Sequence, residues 1–159
     1  MKDITSPRVL RETLTRYGLA PRKCLGQNFL IDANLRDKIV AAAALRPGDL
    51  AIEIGPGPGA LTAKLLATGA PVLAVEADPG LARVLSDWLP PEPGKLLVVV
   101  GDVLRLDLAE VIKGAGFVGR PCVAVANLPY YITTPVIFYL LAAELPWRRI
   151  PSWPLPRSW

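Results

Sequence analysis

Apolar and polar residues fall in blocks along this chain, and the block lengths predict its elements. From residue 50 onward, five-residue runs that are apolar except at Glu53 and Glu76 recur at 50–54, 72–76, 96–100 and 122–126. Each is rich in Val, Leu, Ile or Ala and bounded by Gly, Pro or Asp, which predicts strands. Between them, apolar positions return at three- and four-residue spacing. That predicts helices from Gly59 to Ala67, from Asp78-Pro79 through Trp88, and over 107–113. Thr134-Pro135 reads as the start of a last helix reaching Leu141. Strands that are apolar throughout and alternate with helices imply a parallel sheet covered on both faces, an α/β fold.

The first fifty residues are helical in pattern. Ser6-Pro7 opens a helix with Leu10, Leu14 and Tyr17 on one face, ended by Gly18. A loop over 19–30 follows. Asp32 then caps a helix with Leu35, Ile39, Ala42 and Ala43 on one side, running to Pro47-Gly48. The other end of the chain differs. Residues 146–159 hold four prolines and three tryptophans in fourteen positions, with no period. An irregular tail without a strand is expected there. The chain thus divides into a basic N-terminal helix and loop (1–30), a sheet domain (31–145) and the tail (146–159).

Composition narrows the function classes. Apolar residues make up 52% of the 159, too many for a disordered chain, yet no run suits a membrane span. The charged N-terminus lacks an apolar signal core, so a cytoplasmic location is expected. There is no histidine, and Cys24 and Cys122 lie far apart. A metal site and histidine-based acid–base chemistry are not expected. Residues 1–30 carry six Lys/Arg against two acids, whereas 31–141 carry nine against eleven. A basic arm on a near-neutral body suits contact with a polyanion.

Ligands of open parallel sheets sit beyond the C-terminal ends of the strands. Glu53 with Gly55, Glu76, Asp102 and Asn127 all fall there. Gly55-x-Gly57-x-x-Ala60 satisfies the dinucleotide pattern, and Glu76 stands twenty-one residues after Gly55, where a ribose-binding acid belongs. NAD is therefore one reading. Pro56 and Pro58, however, remove two backbone donors that a pyrophosphate needs, and a carboxylate at Glu53 would repel it. S-adenosylmethionine, a cation without phosphate, suits such a turn better. Glu76 can accept both ribose hydroxyls and Asp102 the adenine amino group.

Asn127-Leu128-Pro129-Tyr130 supplies candidate chemistry. The Asn127 side-chain oxygen and the backbone carbonyl before or at Pro129 can accept both protons of an exocyclic amine. Its lone pair is then aimed at an electrophilic methyl group, while Tyr130 stacks on the base. In-line methyl transfer from sulfur to nitrogen follows from positioning and electrostatics, without a strong base.

Five motifs occur together in order: Leu25-Gly26-Gln27-Asn28-Phe29-Leu30, Glu53-Ile54-Gly55-Pro56-Gly57-Pro58-Gly59, Val75-Glu76, Gly101-Asp102 and Asn127-Leu128-Pro129-Tyr130. Over roughly residues 5–141 the chain resembles the rRNA adenine N-methyltransferase family. The resemblance is to the housekeeping small-subunit (16S) dimethyltransferases more than to the erythromycin-resistance branch. It implies a Rossmann-like class I S-adenosylmethionine-dependent methyltransferase sheet, with its first four parallel strands in the order 3-2-1-4. By resemblance, Asn28 and Leu30 close over the cofactor. Gly55 contacts the methionine part, with Glu53 and Gly57 in the same cofactor-binding set. Glu76 meets the ribose, Asp102 the adenine, and Asn127 both cofactor and target amine. Pro129 and Tyr130 complete the catalytic turn. Arg8, Arg11, Arg22 and Lys23 are the RNA-binding candidates.

The implied reaction is dimethylation of two adjacent adenosines near the 3′ end of the small-subunit rRNA, on the 30S particle during ribosome assembly. The family continues well past the last helix expected here. The chain is therefore expected to be truncated, with Val123–Ala126 as an open apolar edge and methyl transfer by the chain alone weak or absent. The alternatives are a non-catalytic rRNA-binding or assembly factor on the same fold, and the NAD-dependent dehydrogenase.

Overall fold

A computed structural model of the chain describes residues 6–19, 30 and 32–150. Five parallel strands form one sheet in the order β3-β2-β1-β4-β5. They are β1 (Leu50–Ile54), β2 (Val72–Glu76), β3 (Leu96–Val100), β4 (Cys122–Ala126) and β5 (Trp147–Arg149). The helices are α1 (Pro7–Arg16), α2 (Ala33–Ala43), α3 (Ala60–Ala67), α4 (Pro79–Trp88), α5 (Leu108–Gly114) and α6 (Tyr130–Ala142), with a 3₁₀ turn at Val103–Arg105. The first four strands fall on the expected runs.

The continuous apolar character of β1, β2 and β4 follows from burial on both faces. Ile52, Leu73 and Ala124 point to one core with Ile112, Val136 and Leu140. Ala51, Val72 and Val123 point to another with Ile39, Leu65 and Leu85. Side chains alternate across a strand, so each strand feeds both layers. A third cluster joins Leu10 and Leu14 of α1 to Ala60 and Leu81. It docks the basic helix over the start of α3, and Tyr17 Oη reinforces the contact by donating to Asp87 at 2.8 Å.

Helix starts follow their caps. Asp32 accepts from the N–H groups of Asn34 and Leu35, and Asp78 from those of Gly80 and Leu81. Ser6 precedes α1 but makes no side-chain cap bond. α2 stops before the expected Pro47-Gly48, at Ala44, whose φ of 46° is left-handed. α6 begins at Tyr130, four residues before the expected start, and Pro135 lies inside it. Pro129, not Pro135, is the proline that introduces this helix.

The tail and the sheet edge depart furthest from expectation. The residues after Leu145 do form a strand: β5 pairs in parallel with β4, through Cys122↔Trp147 and Val123↔Arg149. The apolar edge expected at Val123–Ala126 is thus met only at its first residue, Val123, and the sheet has five strands rather than four. Long-range bonds hold this three-residue strand. Arg148 makes a bidentate pair with buried Asp49, and its guanidinium also donates to the Ala44 carbonyl at 2.7 Å. Arg149 donates to the Ala42 carbonyl at 2.9 Å. Both arginines therefore satisfy orphan carbonyls at the C-terminus of α2, where its dipole favours cations. Residues 151–159 lie outside the described residues.

Candidate functional site

The turn after β1 is built from alternating Gly and Pro. Gly55, Gly57 and Gly59 all hold positive φ, at 70°, 56° and 99°, a conformation that side chains oppose. No backbone donor of this turn is left over. Gly55 N–H bonds the Val75 carbonyl at 2.9 Å, Gly57 N–H bonds Glu76 Oε2 at 2.9 Å, and Gly59 N–H bonds the Pro56 carbonyl at 3.1 Å. Pro56 and Pro58 have none to give. A pyrophosphate cradle needs several such donors converging on one point. Residues 55–59 themselves therefore offer a pyrophosphate no spare donor, which weighs against the dinucleotide reading.

Two acids lie beneath the turn. Glu76, at the end of β2, accepts from Gly57 N–H and from Asp78 N–H, each at 2.9 Å. Its carboxylate braces the turn while retaining lone pairs for further donors. Burial raises its pKa, and these two N–H bonds oppose the rise. Glu53 is 1% exposed, and its Oε2 accepts from Thr62 Oγ1 at 2.7 Å. Burial pushes its carboxyl up to about 8; the Thr62 hydroxyl works against that and the charge of Glu76 adds to it. At neutral pH Glu53 is therefore protonated. Burial thus favours the neutral form of Glu53, which weakens the charge repulsion expected of it, while the N–H groups of residues 55–59 are already occupied.

Leu30, Glu53, Gly55, Gly57 and Asn127 line one cleft, with Leu10 of α1 on its wall. A methyl group on Gly55 would stand 3.1 Å from Leu128 Cδ2, so the turns after β1 and β4 are in direct contact. Glu76 reaches the cleft through its bond to Gly57 but does not line it. Asp102 stands apart. It caps the 3₁₀ turn by accepting from Leu104 N–H at 3.0 Å, and Arg105 lies 3.9 Å from its other oxygen. Asn127 follows the last residue of β4, and Tyr130 is the first residue of α6. The Pro129 carbonyl is committed to that helix, accepting from Thr133 Oγ1 at 3.0 Å and Ile132 N–H at 3.2 Å.

Arg8 and Arg11 lie exposed on α1, and Arg8 pairs with Glu12 at 3.1 Å. Asn28, Arg22 and Lys23 lie outside the described residues. Among the described residues no group of three or more His, Cys, Asp or Glu could hold a metal ion, and no helix is long and apolar enough to cross a membrane. Sequence reasoning assigned no role to Thr62 or Leu10. Thr62 was visible as a hydroxyl inside the apolar run Ala60-Leu61-Thr62-Ala63. Leu10 looked like any helix-face leucine.

The sequence profile described as "Ribosomal RNA adenine dimethylase" matches residues 18–152. A "Ribosomal RNA small subunit methyltransferase A" from Pelotomaculum thermopropionicum is 48% identical over 143 residues, covering 87% of this chain and 48% of that protein. The chain spans about half the length of the curated relatives it matches. Among solved structures, the 23S rRNA methyltransferase ErmE superposes with a TM-score of 0.61 at 33% identity, covering 74% of this chain and 44% of ErmE. An RNA methyltransferase from Salinibacter ruber, solved with S-adenosyl-L-homocysteine, shares the fold. Its TM-score is 0.57 at 18% identity, over 76% of this chain and 71% of that one. The five-stranded sheet is accordingly of the Rossmann-like class I methyltransferase type. With the profile spanning most of its length and nearly half its residues shared with a curated relative, the chain belongs to the ribosomal RNA adenine dimethylase family.

Proposed function

We propose that this chain carries the cofactor-binding half of an rRNA adenine dimethyltransferase. In this reading it binds S-adenosylmethionine in the cleft between the turns after β1 and β4. The observation that carries the reading is the state of the glycine turn. All its N–H groups are used or absent, and two acids without a basic partner among the described residues lie beneath it. Residues 55–59 offer a phosphate no spare donor, and Glu76, with Glu53 once ionised, can meet a cation. The Salinibacter ruber relative was solved with S-adenosyl-L-homocysteine, the product such a cofactor leaves.

The residue roles follow by position. Glu76 accepts from the ribose hydroxyls, and Gly55 and Gly57 let the backbone approach the methionine part. Leu30 and Asn28 cover the ligand. Asp102, already oriented by Leu104 N–H, receives the adenine amino group. When bound, the cofactor supplies an electrophilic methyl group. Asn127 accepts one proton of the target amine. Since α6 occupies the Pro129 carbonyl, the Leu128 carbonyl takes the second. Tyr130 stacks on the adenine, and Arg8, Arg11, Arg22 and Lys23 meet RNA phosphates. The substrate in this reading is a pair of adjacent adenosines near the 3′ end of small-subunit rRNA, in the assembling 30S particle.

Photolabelling with methyl-tritiated S-adenosylmethionine tests the proposal. Label is expected on peptides carrying 53–57 or 127–130, displaced by S-adenosylhomocysteine and not by NAD. Absence of label, or displacement by NAD, would contradict it.

A further inference from the structure

Glu53 is a buried carboxyl on the cleft to which the proposed roles give no specific contact. It lies 1% exposed at the floor of the cleft, at the end of β1. Its single hydrogen-bond partner among the described residues is Thr62, itself 0% exposed in the first turn of α3. That bond ties β1 to α3 across the base of the glycine turn and fixes which way the carboxyl points. Only Oε2 is engaged. The one charged group acting on Glu53 from the surrounding elements is Glu76 of β2, of the same sign. A buried acid in this setting stays neutral unless a positive charge arrives.

We infer that Glu53, positioned by Thr62, selects for a cationic ligand by exchanging its proton. It holds the proton before binding and gives it to solvent when a sulfonium or ammonium settles against Oε1. The O–H bond of Glu53 breaks, the proton goes to buffer, and the carboxylate remains against the cation. The inference rests on the proposed cofactor reading. Affinity should then rise with pH until Glu53 ionises by itself, at about 8.

Calorimetric titration of the full chain with S-adenosylmethionine, in two buffers of different ionisation enthalpy, counts the protons. The expected result near pH 7 is release of about one proton, with affinity rising close to tenfold from pH 6 to pH 7. In Glu53→Gln both effects should vanish. Thr62→Val removes the hydroxyl that favours the carboxylate, so it should move the pH midpoint upward. Circular dichroism melts check that each variant is folded. Repeating the titration with S-adenosylhomocysteine locates the charge. Release with both ligands assigns the ammonium, and release with S-adenosylmethionine alone assigns the sulfonium. Binding by wild type without proton release, or equal release by wild type and Glu53→Gln, would overturn the inference. No binding at any pH would instead overturn the cofactor reading itself.

Discussion

Strand β1 is bracketed by two buried acids in opposite circumstances. Asp49, just before the strand, is 2% exposed and meets the guanidinium of Arg148. Glu53, near the strand's other end, is 1% exposed and meets only a hydroxyl. The Arg148 hydrogen bonds hold the Asp49 carboxyl below the usual range, while burial lifts that of Glu53 to about 8. The same residue chemistry, four positions apart, thus stabilises one end of the sheet and weighs on the other. The N-terminal end of the sheet is closed internally, down to the carbonyls of α2. The C-terminal end is left to be completed by a ligand, as expected of the ligand-binding end of a parallel sheet.

Breaking the paired end should have the largest effect. Arg148→Ala leaves Asp49 buried without that guanidinium and removes one of the two arginine contacts that hold β5 to the end of α2. A loss of about 3 kcal/mol in urea-unfolding stability is expected. Replacing both partners, as Asp49→Asn with Arg148→Met, should cost less than Arg148→Ala alone. A loss from Arg148→Ala below about 0.5 kcal/mol, the size of an exposed pair, would show that the bond does not hold the strand.

The unpaired end should respond in the opposite sense. Between the ordinary carboxylate range and about pH 8, folded Glu53 keeps a proton that the unfolded chain has released. Stability therefore falls as pH rises through that window. Asp49 works the other way: its contribution is present above the usual carboxylate range and is lost as pH falls through its depressed value. Together these two acids favour the folded chain most just above the usual carboxylate range. Relative to wild type, Glu53→Gln should gain about 4 kcal/mol between pH 5 and pH 8.5. Parallel pH profiles for the two proteins would contradict this.

The smallest effect should lie outside β1 altogether. Arg8 is exposed and pairs with Glu12 one helical turn away. Arg8→Ala should change stability by about 0.3 kcal/mol at most. If α1 contacts phosphates, the substitution should reduce the slope of log K against log salt for RNA binding by about one. An unchanged slope would remove Arg8 from the RNA-facing set.

Much of this was legible in the sequence. The four five-residue runs that became β1 to β4 are apolar on both faces except at Glu53 and Glu76, and Gly, Pro or Asp bounds each. Local chemistry sufficed for them, as it did for the Asp32 and Asp78 caps. β5 was illegible because Trp147-Arg148-Arg149 has no strand pattern of its own. It is held by Asp49, ninety-nine residues earlier, and no local rule connects the two. The start of α6 was misplaced because two prolines compete for one signal. Pro129 precedes the helix while Pro135 sits within it. At the site, the glycine turn and its neighbouring acids were readable as a constellation. The protonation of Glu53 was not, because it depends on whether folding brings a cation alongside.

Carbon-13 titration of the side-chain carboxyls in the free chain tests the contrast on β1 most directly. Glu53 should titrate at about 8, and Asp49 below the usual carboxylate range. If Glu53 titrates with the ordinary carboxylates, the C-terminal end of β1 holds no unpaired buried acid, and the contrast between the two ends fails.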